Sequence, residues 1–143
     1  MATPQPEPAH SAITREPIDA RAVIARVQGD ANGAVITFAG IVRNHNGGRS
    51  VDGITYECYH AMAERVLDAV VADARERFEV RATAVHRVGD LTVGDVSLFV
   101  AVASAHRAEA FAATEYIVAQ IKRRVPIWKK EHYCDGESGW VGS

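Results

Sequence analysis

The chain has 143 residues, of which 48% are hydrophobic and 24% charged, and its formal net charge is −2. This composition is typical of one globular domain, and the near-neutral charge argues against a dedicated nucleic-acid-binding domain, which is usually strongly basic. No apolar run approaches the roughly 18 residues that a membrane span requires, and the first residues lack the basic and apolar regions of a secretion signal.

The first half of the chain predicts a tail followed by alternating helices and strands. Four of the five prolines lie in the first seventeen residues, so residues 1–10 are expected to form a disordered or loosely held tail before a domain over residues 11–143. Periodic apolar residues and β-branched runs predict the next elements. In chain order these are a helix at 17–27, a strand at 33–43, a strand at 51–59 and a helix at 61–78. The Asn- and Gly-rich stretch 44–50 predicts a loop.

The second half predicts two more strands, a long helix and a strand-forming end. In chain order these are strands at 80–88 and 96–104 joined by 89–94, a helix at 105–124 and short strands within 127–142. Ser104 is a candidate N-cap, and Pro126 stops the helix. The residues expected on its buried side are Phe111, Ala112, Tyr116 and Ile121. The order α, β, β, α, β, β, α, β, β predicts an α+β domain, with helices packed on a largely antiparallel sheet.

The lysines are concentrated in one place. All three, Lys122, Lys129 and Lys130, lie in one nine-residue window, whereas the other thirteen basic residues are arginines. A lysine amine can lose its proton and act as a base or nucleophile, whereas a guanidinium stays charged. A solvated basic helix end that complements the helix dipole is an equally good interpretation of this window.

Three segments place cationic or aromatic side chains at loops or element ends, where binding residues are common. They are the strand and loop at 38–49, the helix start at 104–107 and the helix end at 122–130. The first delivers Arg43, and the second puts His106 and Arg107 on a helix N-terminus whose free N–H groups favour an anion. Together they suit a small, flat, phosphate-bearing ligand. Taken singly, Arg43 is more often a solvated strand end, and a histidine at a helix start, such as His106, is often a hydrogen-bonded surface residue.

Several site types are disfavoured by spacing. The histidines show no H-E-x-x-H pattern, so a zinc site is not expected. Cys58 and Cys134 are far apart and match no metal-binding spacing, which favours reduced thiols and a cytoplasmic protein. The chain also lacks the motifs of serine hydrolases, P-loop NTPases and dinucleotide-binding folds.

Four runs of sequence resemble the large, catalytic subunit of molybdopterin synthase. They are TFAGIVRNHN at 37–46, VHRVG at 85–89, VASAHR at 102–107 and IKRRVPIWKKE at 121–131. The runs stand in the family's order with ordinary spacing, and the similarity extends from about residue 12 to Val141. The chain is therefore identified as a member of that family.

The resemblance implies a fold and an activity. The fold would be of the α/β-hammerhead type. The activity would be sulfur transfer in molybdenum-cofactor biosynthesis, converting cyclic pyranopterin monophosphate (precursor Z) to the dithiolene molybdopterin. Both sulfurs would come from the thiocarboxylate at the Gly-Gly C-terminus of a small ubiquitin-like subunit. The assembly would be a heterotetramer with a central homodimer of large subunits, and the sulfur-transfer step would use no metal or redox cofactor.

The resemblance also implies roles for six residues. Lys122 and Lys129 match the family's active-site lysines, and Phe38 and Arg43 match residues of its pocket. The family's remaining substrate-binding residues, contributed across the dimer, match His106 and Arg107 in this chain.

Two functions of other classes compete with this interpretation. One is a non-catalytic anion-binding or regulatory module that uses the basic segment at 122–130 without turnover. The other is a weak RNA-binding domain that uses the same segment with Trp128. The near-neutral charge and the lack of an aromatic RNA-binding strand disfavour RNA.

Overall fold

The computed structural model describes residues 11–142, which form three helices and nine strands. In chain order they are β1 (Ser11–Thr14), α1 (Ala20–Ala25), β2 (Ala34–Ile41), β3 (His45–Asn46), β4 (Arg49–Cys58), α2 (His60–Phe78), β5 (Arg81–Arg87), β6 (Gly89–Thr92), β7 (Val96–Ser104), α3 (Arg107–Arg124), β8 (Ile127–Tyr133) and β9 (Ser138–Val141). The predicted tail at residues 1–10 lies outside the described residues. No helix in the described part is long and apolar enough to cross a membrane.

The strands form two sheets. The first has the order β1-β5-β7-β2, and the second has the order β3-β4-β8-β9 with β6 also paired to β4. Within the described residues, only β1 and β5 pair in parallel, and all the other pairings are antiparallel. The predicted α+β class with a largely antiparallel sheet is confirmed.

Strand β7 is buried on both faces because helices cover its sheet on both sides. Val100 and Val102 belong to the main core, which α2 and α3 close. Phe99 and Ala101 point the other way, into a smaller core that α1 covers. The alternation of side chains along a strand thus divides one apolar run between two cores.

Two expectations about α3 are wrong. The N-cap is His106 rather than Ser104, whose hydroxyl donates instead to the carbonyl oxygen of His106. Phe111 is 58% exposed and Ala112 is exposed too. The buried stripe consists of Ala110, Ala113, Thr114, Ile117 and Ile121. This stripe has the i, i+3, i+4 spacing of a packed helix face, and Phe111 lies one residue, or about 100°, away from it.

Strands β1, β3 and β6 are additions to the predicted order. Each has four residues or fewer, and β3 lies in the predicted loop, where Gly47 and Gly48 take positive φ angles of 57° and 81° at the hairpin turn. Glycine tolerates this region at no steric cost. Such short strands form because a neighbouring strand supplies hydrogen-bond partners, which periodicity does not reveal.

Gly53 marks a close approach between β4 and β6. A Cβ added at this position would lie 2.5 Å from the carbonyl oxygen of Leu91. This oxygen belongs to the backbone of the paired strand, so relief of the clash would disturb the pairing of Gly53 with Thr92 and of Ile54 with Leu91.

We expect Gly53→Ala to lower the free energy of unfolding by about 1–3 kcal/mol, because the added methyl group forces these strands apart. Gly139→Ala is the matched control, since its Cβ would meet only the Tyr133 ring at 3.8 Å, an ordinary contact. Urea unfolding followed by circular dichroism measures both. Equal stability of the two variants would contradict the close-approach argument.

Candidate active site

A cavity of about 710 Å³ is lined by residues from both sheets and from the C-terminal end of α3. This volume is within the usual range for small-molecule sites. Four of the six residues predicted from the sequence line it, namely Phe38, Arg43, Lys122 and Lys129. The structure therefore brings together predicted residues from two distant stretches of the chain, 38–43 and 122–129.

Lys122 reaches the cavity because α3 ends beside it. Ile121 and Val125 are buried on either side of it, at 5% and 7% exposure. The Val125 N–H still donates to the Ile121 carbonyl oxygen at 3.1 Å, but its own backbone is extended, so the chain leaves the helix there. Pro126 follows and cannot continue the helix. The buried neighbours hold the helix end in place while the Lys122 amine stays exposed.

Lys129 reaches the cavity from β8. In the pairing of β8 with β4, Lys129 lies opposite Tyr56, which also lines the cavity. The next residue, Lys130, does not line it and instead places its amine 5.5 Å from the centre of the Trp140 ring. Successive side chains of a strand point to opposite faces, so the two adjacent lysines are separated by the strand itself.

Arg43 follows β2 and is held by the backbone of its neighbour Val42. The Val42 N–H donates to the Asp95 carbonyl oxygen at 3.0 Å, and the Val42 carbonyl oxygen accepts from the Gly94 N–H at 2.9 Å. Val42 is also buried, at 2% exposure. These contacts fix the position from which the exposed Arg43 side chain extends.

The cationic groups at this cavity form no ion pairs with other residues of the described part of the chain. Within residues 11–142, no ion pair is formed by Arg43, Lys122 or Lys129. Clefts lined by one sign of charge attract ligands of the opposite sign. The walls also include apolar and aromatic groups, among them Phe38 and Trp128. The arrangement suits an anionic ligand with a flat ring.

The floor of the cavity holds His86, which sequence analysis did not assign to the site. The side chain is 7% exposed, its Nδ1 donates to the Arg87 carbonyl oxygen at 2.8 Å, and its ring meets Tyr56 edge-on at 5.2 Å. Burial lowers the pKa of His86 to about 4. The positive charge of Lys129 lowers this pKa further, whereas the hydrogen bond to the Arg87 backbone partly raises it. The imidazole is therefore neutral at physiological pH.

Tyr56 and Ser97 are also lining residues that sequence reasoning missed. Burial raises the pKa of the Tyr56 hydroxyl, and the Ser97 side chain partly offsets this. The sequence held a weak signal for His86. Side chains of a strand alternate between its two faces, so His86 lies on the same face of β5 as Ala82 and Ala84, which are both fully buried. A polar residue on the buried side of a strand is a candidate for function.

A buried carboxylate connects the hairpin after Arg43 to β8. Glu131 is 4% exposed and accepts hydrogen bonds from the Asn46 side-chain amide at 3.0 Å and from the Tyr133 hydroxyl at 3.1 Å. Asn46 lies in β3, beside the hairpin turn. The hairpin that follows Arg43 is thereby tied to the strand that carries Lys129.

His106 and Arg107 lie elsewhere. They line a second cavity of about 360 Å³ at the start of α3, beside Gly33 and Ala34. Arg107 precedes Lys122 by fifteen residues of helix, which corresponds to about 22 Å along the axis. Within a single chain, the six predicted residues therefore form two groups at opposite ends of α3.

The side chains of the first cavity offer amines, a guanidinium and a neutral imidazole. In the described part of the chain, no group of three or more His, Cys, Asp and Glu side chains is placed to hold a metal ion. These residues can bind an anion and move protons.

Comparison with known proteins places the chain in a family. The sequence model of the MoaE protein family matches residues 13–124. The chain belongs to the MoaE protein family. It is 50% identical over 117 residues to the molybdopterin synthase catalytic subunit of Yersinia pestis, which spans 81% of this chain and 77% of the relative. The resemblance seen in the four sequence runs is confirmed, and this MoaE-family protein is an enzyme of molybdenum-cofactor biosynthesis rather than a non-catalytic module.

Solved structures show the same fold. The molybdopterin synthase of Staphylococcus aureus superposes with a TM-score of 0.88 at 36% identity, covering 92% of this chain and 96% of the other. A complex of subunits 1 and 2 of the molybdopterin-converting factor of Helicobacter pylori matches with a TM-score of 0.75 at 23% identity, covering 93% and 90%. The MoaE-family fold thus extends over nearly the whole chain.

The pKa of His86 makes the stability of this MoaE-family protein depend on pH. The unfolded chain, with an ordinary histidine pKa near 6.5, binds more protons between pH 4 and 6.5 than the folded protein does. The folded state is therefore fully favoured above pH 6.5 and loses stability as the pH falls toward 4. Between pH 7.5 and pH 5, we expect this residue to account for a loss of about 2 kcal/mol.

His86→Asn removes this titration and keeps a donor near the Arg87 carbonyl oxygen. Urea unfolding at pH 7.5 and pH 5 measures how far the free energy of unfolding falls between the two pH values. This fall should be about 2 kcal/mol smaller for the variant than for the original protein. The same loss in both proteins would show that His86 is not held neutral by the fold.

Proposed function

We propose that this protein transfers sulfur to cyclic pyranopterin monophosphate (precursor Z) and forms the dithiolene molybdopterin. The sulfur donor is the thiocarboxylate at the Gly-Gly C-terminus of a small ubiquitin-like subunit. The observation that carries the proposal is the cavity in which Arg43, Lys122 and Lys129, which form no ion pair within residues 11–142, lie beside aromatic walls. The proposal is further supported by membership of the MoaE protein family.

The chemistry of this substrate fits the cavity. A cyclic phosphate is anionic and is stabilised by guanidinium and ammonium groups. A pterin ring is flat and packs against aromatic and apolar surface, which Phe38 and Trp128 supply here. The volume of about 710 Å³ accommodates a ligand of this size together with a narrow peptide tail. Glycines suit such a tail because they have no side chain.

The transfer needs proton movement and charge stabilisation. Each step breaks the bond between the acyl carbon of the donor and its sulfur, and forms a carbon–sulfur bond on the pterin side chain. Water then attacks the acyl carbon of the resulting thioester, so the donor becomes a carboxylate, while the oxygen displaced from the substrate stays on the phosphate or leaves as water. Sulfur keeps its oxidation level, so this exchange requires no redox cofactor. Lys122 is proposed as the general acid or base, and Lys129 as the group that stabilises the anion.

The site is proposed to be shared between two copies of the chain. His106 and Arg107 are exposed and lie about 22 Å along α3 from Lys122, too far to bind the same small ligand within one chain. In a two-fold homodimer each subunit lends the same patch to its neighbour, which gives two composite sites. The small subunit completes the proposed heterotetramer. The cytoplasmic location drawn from the sequence stays a prediction.

Lys122→Ala is expected to reduce dithiolene formation at least about a hundredfold, because a positioned acid or base contributes this much. The fold should be unaffected, since the side chain is exposed. Lys130→Ala is the matched control, because Lys130 contacts the Trp140 ring outside the cavity. The assay combines the purified protein, the thiocarboxylated small subunit and the cyclic pterin, with circular dichroism to check folding.

Lys122→Arg separates charge from proton transfer, because a guanidinium does not deprotonate. We expect this variant to stay nearly inactive. Near-normal turnover of Lys122→Ala would remove Lys122 from the mechanism, and absence of turnover by the unmodified protein with an active partner would overturn the proposed function.

Co-expression of two inactive variants tests the shared site. Arg107→Ala and Lys122→Ala should each be nearly inactive, but a mixed dimer contains one site in which both residues are intact. With random pairing, half of the dimers are mixed and each has one good site, so activity should recover to roughly a quarter of normal. Two differently tagged Lys122→Ala chains serve as the control. Verified mixed dimers that stay inactive would show that both residues act within one subunit.

A further inference from the structure

The polar side chains that line the main cavity differ in whether they donate or accept hydrogen bonds. Arg43, Lys122 and Lys129 only donate hydrogen bonds when charged. His86 differs, because its Nδ1 proton is given to the Arg87 carbonyl oxygen, which leaves Nε2 as an acceptor. His86 therefore gives this donor-rich cavity an oriented acceptor that does not also donate to the ligand, unlike the hydroxyls of Tyr56 and Ser97, which can do both.

The second ring nitrogen of His86 is available. Within residues 11–142, the contacts of this side chain are the hydrogen bond from Nδ1 and the edge-on contact with Tyr56, so Nε2 has no hydrogen-bond partner. In the described part of the chain, the buried side-chain atoms that lack a hydrogen-bond partner are one nitrogen of Arg26 and one of Arg81. Nε2 of His86 is not among these buried atoms. Because His86 lines the cavity, its Nε2 is open to whatever occupies that space.

We propose that His86 is a substrate-recognition residue whose Nε2 accepts a hydrogen bond from an N–H or O–H group of the ligand in this cavity. The inference rests on the proposed function, because a pterin carries ring N–H and amino donors that match such an acceptor. In this proposal His86 recognises the pterin ring, and the cationic side chains of the cavity bind the phosphate.

A purely structural role explains His86 less well. The residue lies in β5 between strands β1 and β7, and its inward neighbours Ala82 and Ala84 are fully buried. An apolar side chain would suit this position, whereas the imidazole keeps Nδ1 bound to the fold and leaves Nε2 facing the cavity without a hydrogen-bond partner among the described residues. A ligand donor in the cavity would supply that partner.

The charges around His86 favour an acceptor over a proton donor. The other titratable side chains that line its cavity are Tyr56 from β4, Lys129 from β8, Lys122 from α3 and Arg43 after β2. Three of them are cationic, and a positive imidazole among them would be repelled as well as desolvated. The lowered pKa of about 4 agrees with this geometry.

Two substitutions separate the two nitrogens. His86→Asn keeps a donor near the position of Nδ1 and loses the acceptor at the position of Nε2. His86→Gln does the reverse, since its longer side chain can place an amide oxygen near Nε2. Thr114→Val is the control: Thr114 is also 7% exposed and makes one hydrogen bond to a backbone carbonyl, that of Ala110 at 2.7 Å, but it does not line the cavity.

The experiment measures kcat and KM for cyclic pyranopterin monophosphate with the thiocarboxylated small subunit present, and equilibrium binding of the same pterin by calorimetry. We expect His86→Asn to raise KM and the dissociation constant about tenfold, with kcat within about twofold, because one hydrogen bond to the bound ring is lost. His86→Gln should recover most of the affinity. Thr114→Val should leave both constants unchanged.

Urea unfolding of the same variants distinguishes recognition from structural damage. If His86 only supports the fold, affinity will follow stability, and Gln, which loses the internal bond, will bind no better than Asn. That result, or an unchanged KM in His86→Asn, overturns this inference while the proposed function stands. Failure of the unmodified protein to bind or convert the pterin overturns the proposed function, and this inference with it.

Discussion

The antiparallel pairing of β4 with β8 is the constraint on which the main cavity depends. It places Lys129 opposite Tyr56 and turns Lys130 to the other face, against Trp140. A slip of one residue would exchange the two lysines, because strand side chains alternate with a period of two. The same strand carries Glu131, whose buried carboxylate binds Asn46 and so ties down the hairpin after Arg43. One strand pairing therefore positions Lys129 and holds the hairpin after Arg43, while the end of α3 brings Lys122 to the same cavity.

The charge distribution of the cavity follows from what the fold leaves unpaired. Some cations elsewhere on the surface have acidic partners, as where Arg49 contacts Asp135 at 2.8 Å and Glu137 at 3.0 Å. At the cavity, Arg43, Lys122 and Lys129 have none within the described residues. Mutual repulsion of like charges disfavours the empty site, and an anionic ligand relieves it. Electrostatic attraction and neutral hydrogen bonding at His86 then act on different parts of one ligand.

The length of α3 separates the two groups of proposed site residues. Lys122 and the group formed by His106 and Arg107 are about 22 Å apart on one straight element, so no side-chain motion brings them together in a single chain. A second copy related by two-fold symmetry offers a simple route, since each copy then supplies both kinds of end. In this arrangement the helix serves as a rigid spacer between two half-sites, and its buried stripe against α2 and the first sheet keeps the spacing constant.

Sequence by itself determined the elements whose patterns are long. Helices α2 and α3, strands β2, β4, β5 and β7 and the turn at Pro126 all carry enough periodic residues to be recognised, and the clustering of Lys122 with Lys129 needed no structure to be seen. The tertiary structure alone decided the rest. Strand β1 and the hairpin strand β3 exist because partner strands supply their hydrogen bonds, and Phe111 is exposed because packing selected an adjacent helical stripe. His86 lies in the same cavity as Lys129, whereas His106 lies in the other cavity. Local spacing along the chain does not show which residues will be close in space, so only the tertiary structure reveals this difference.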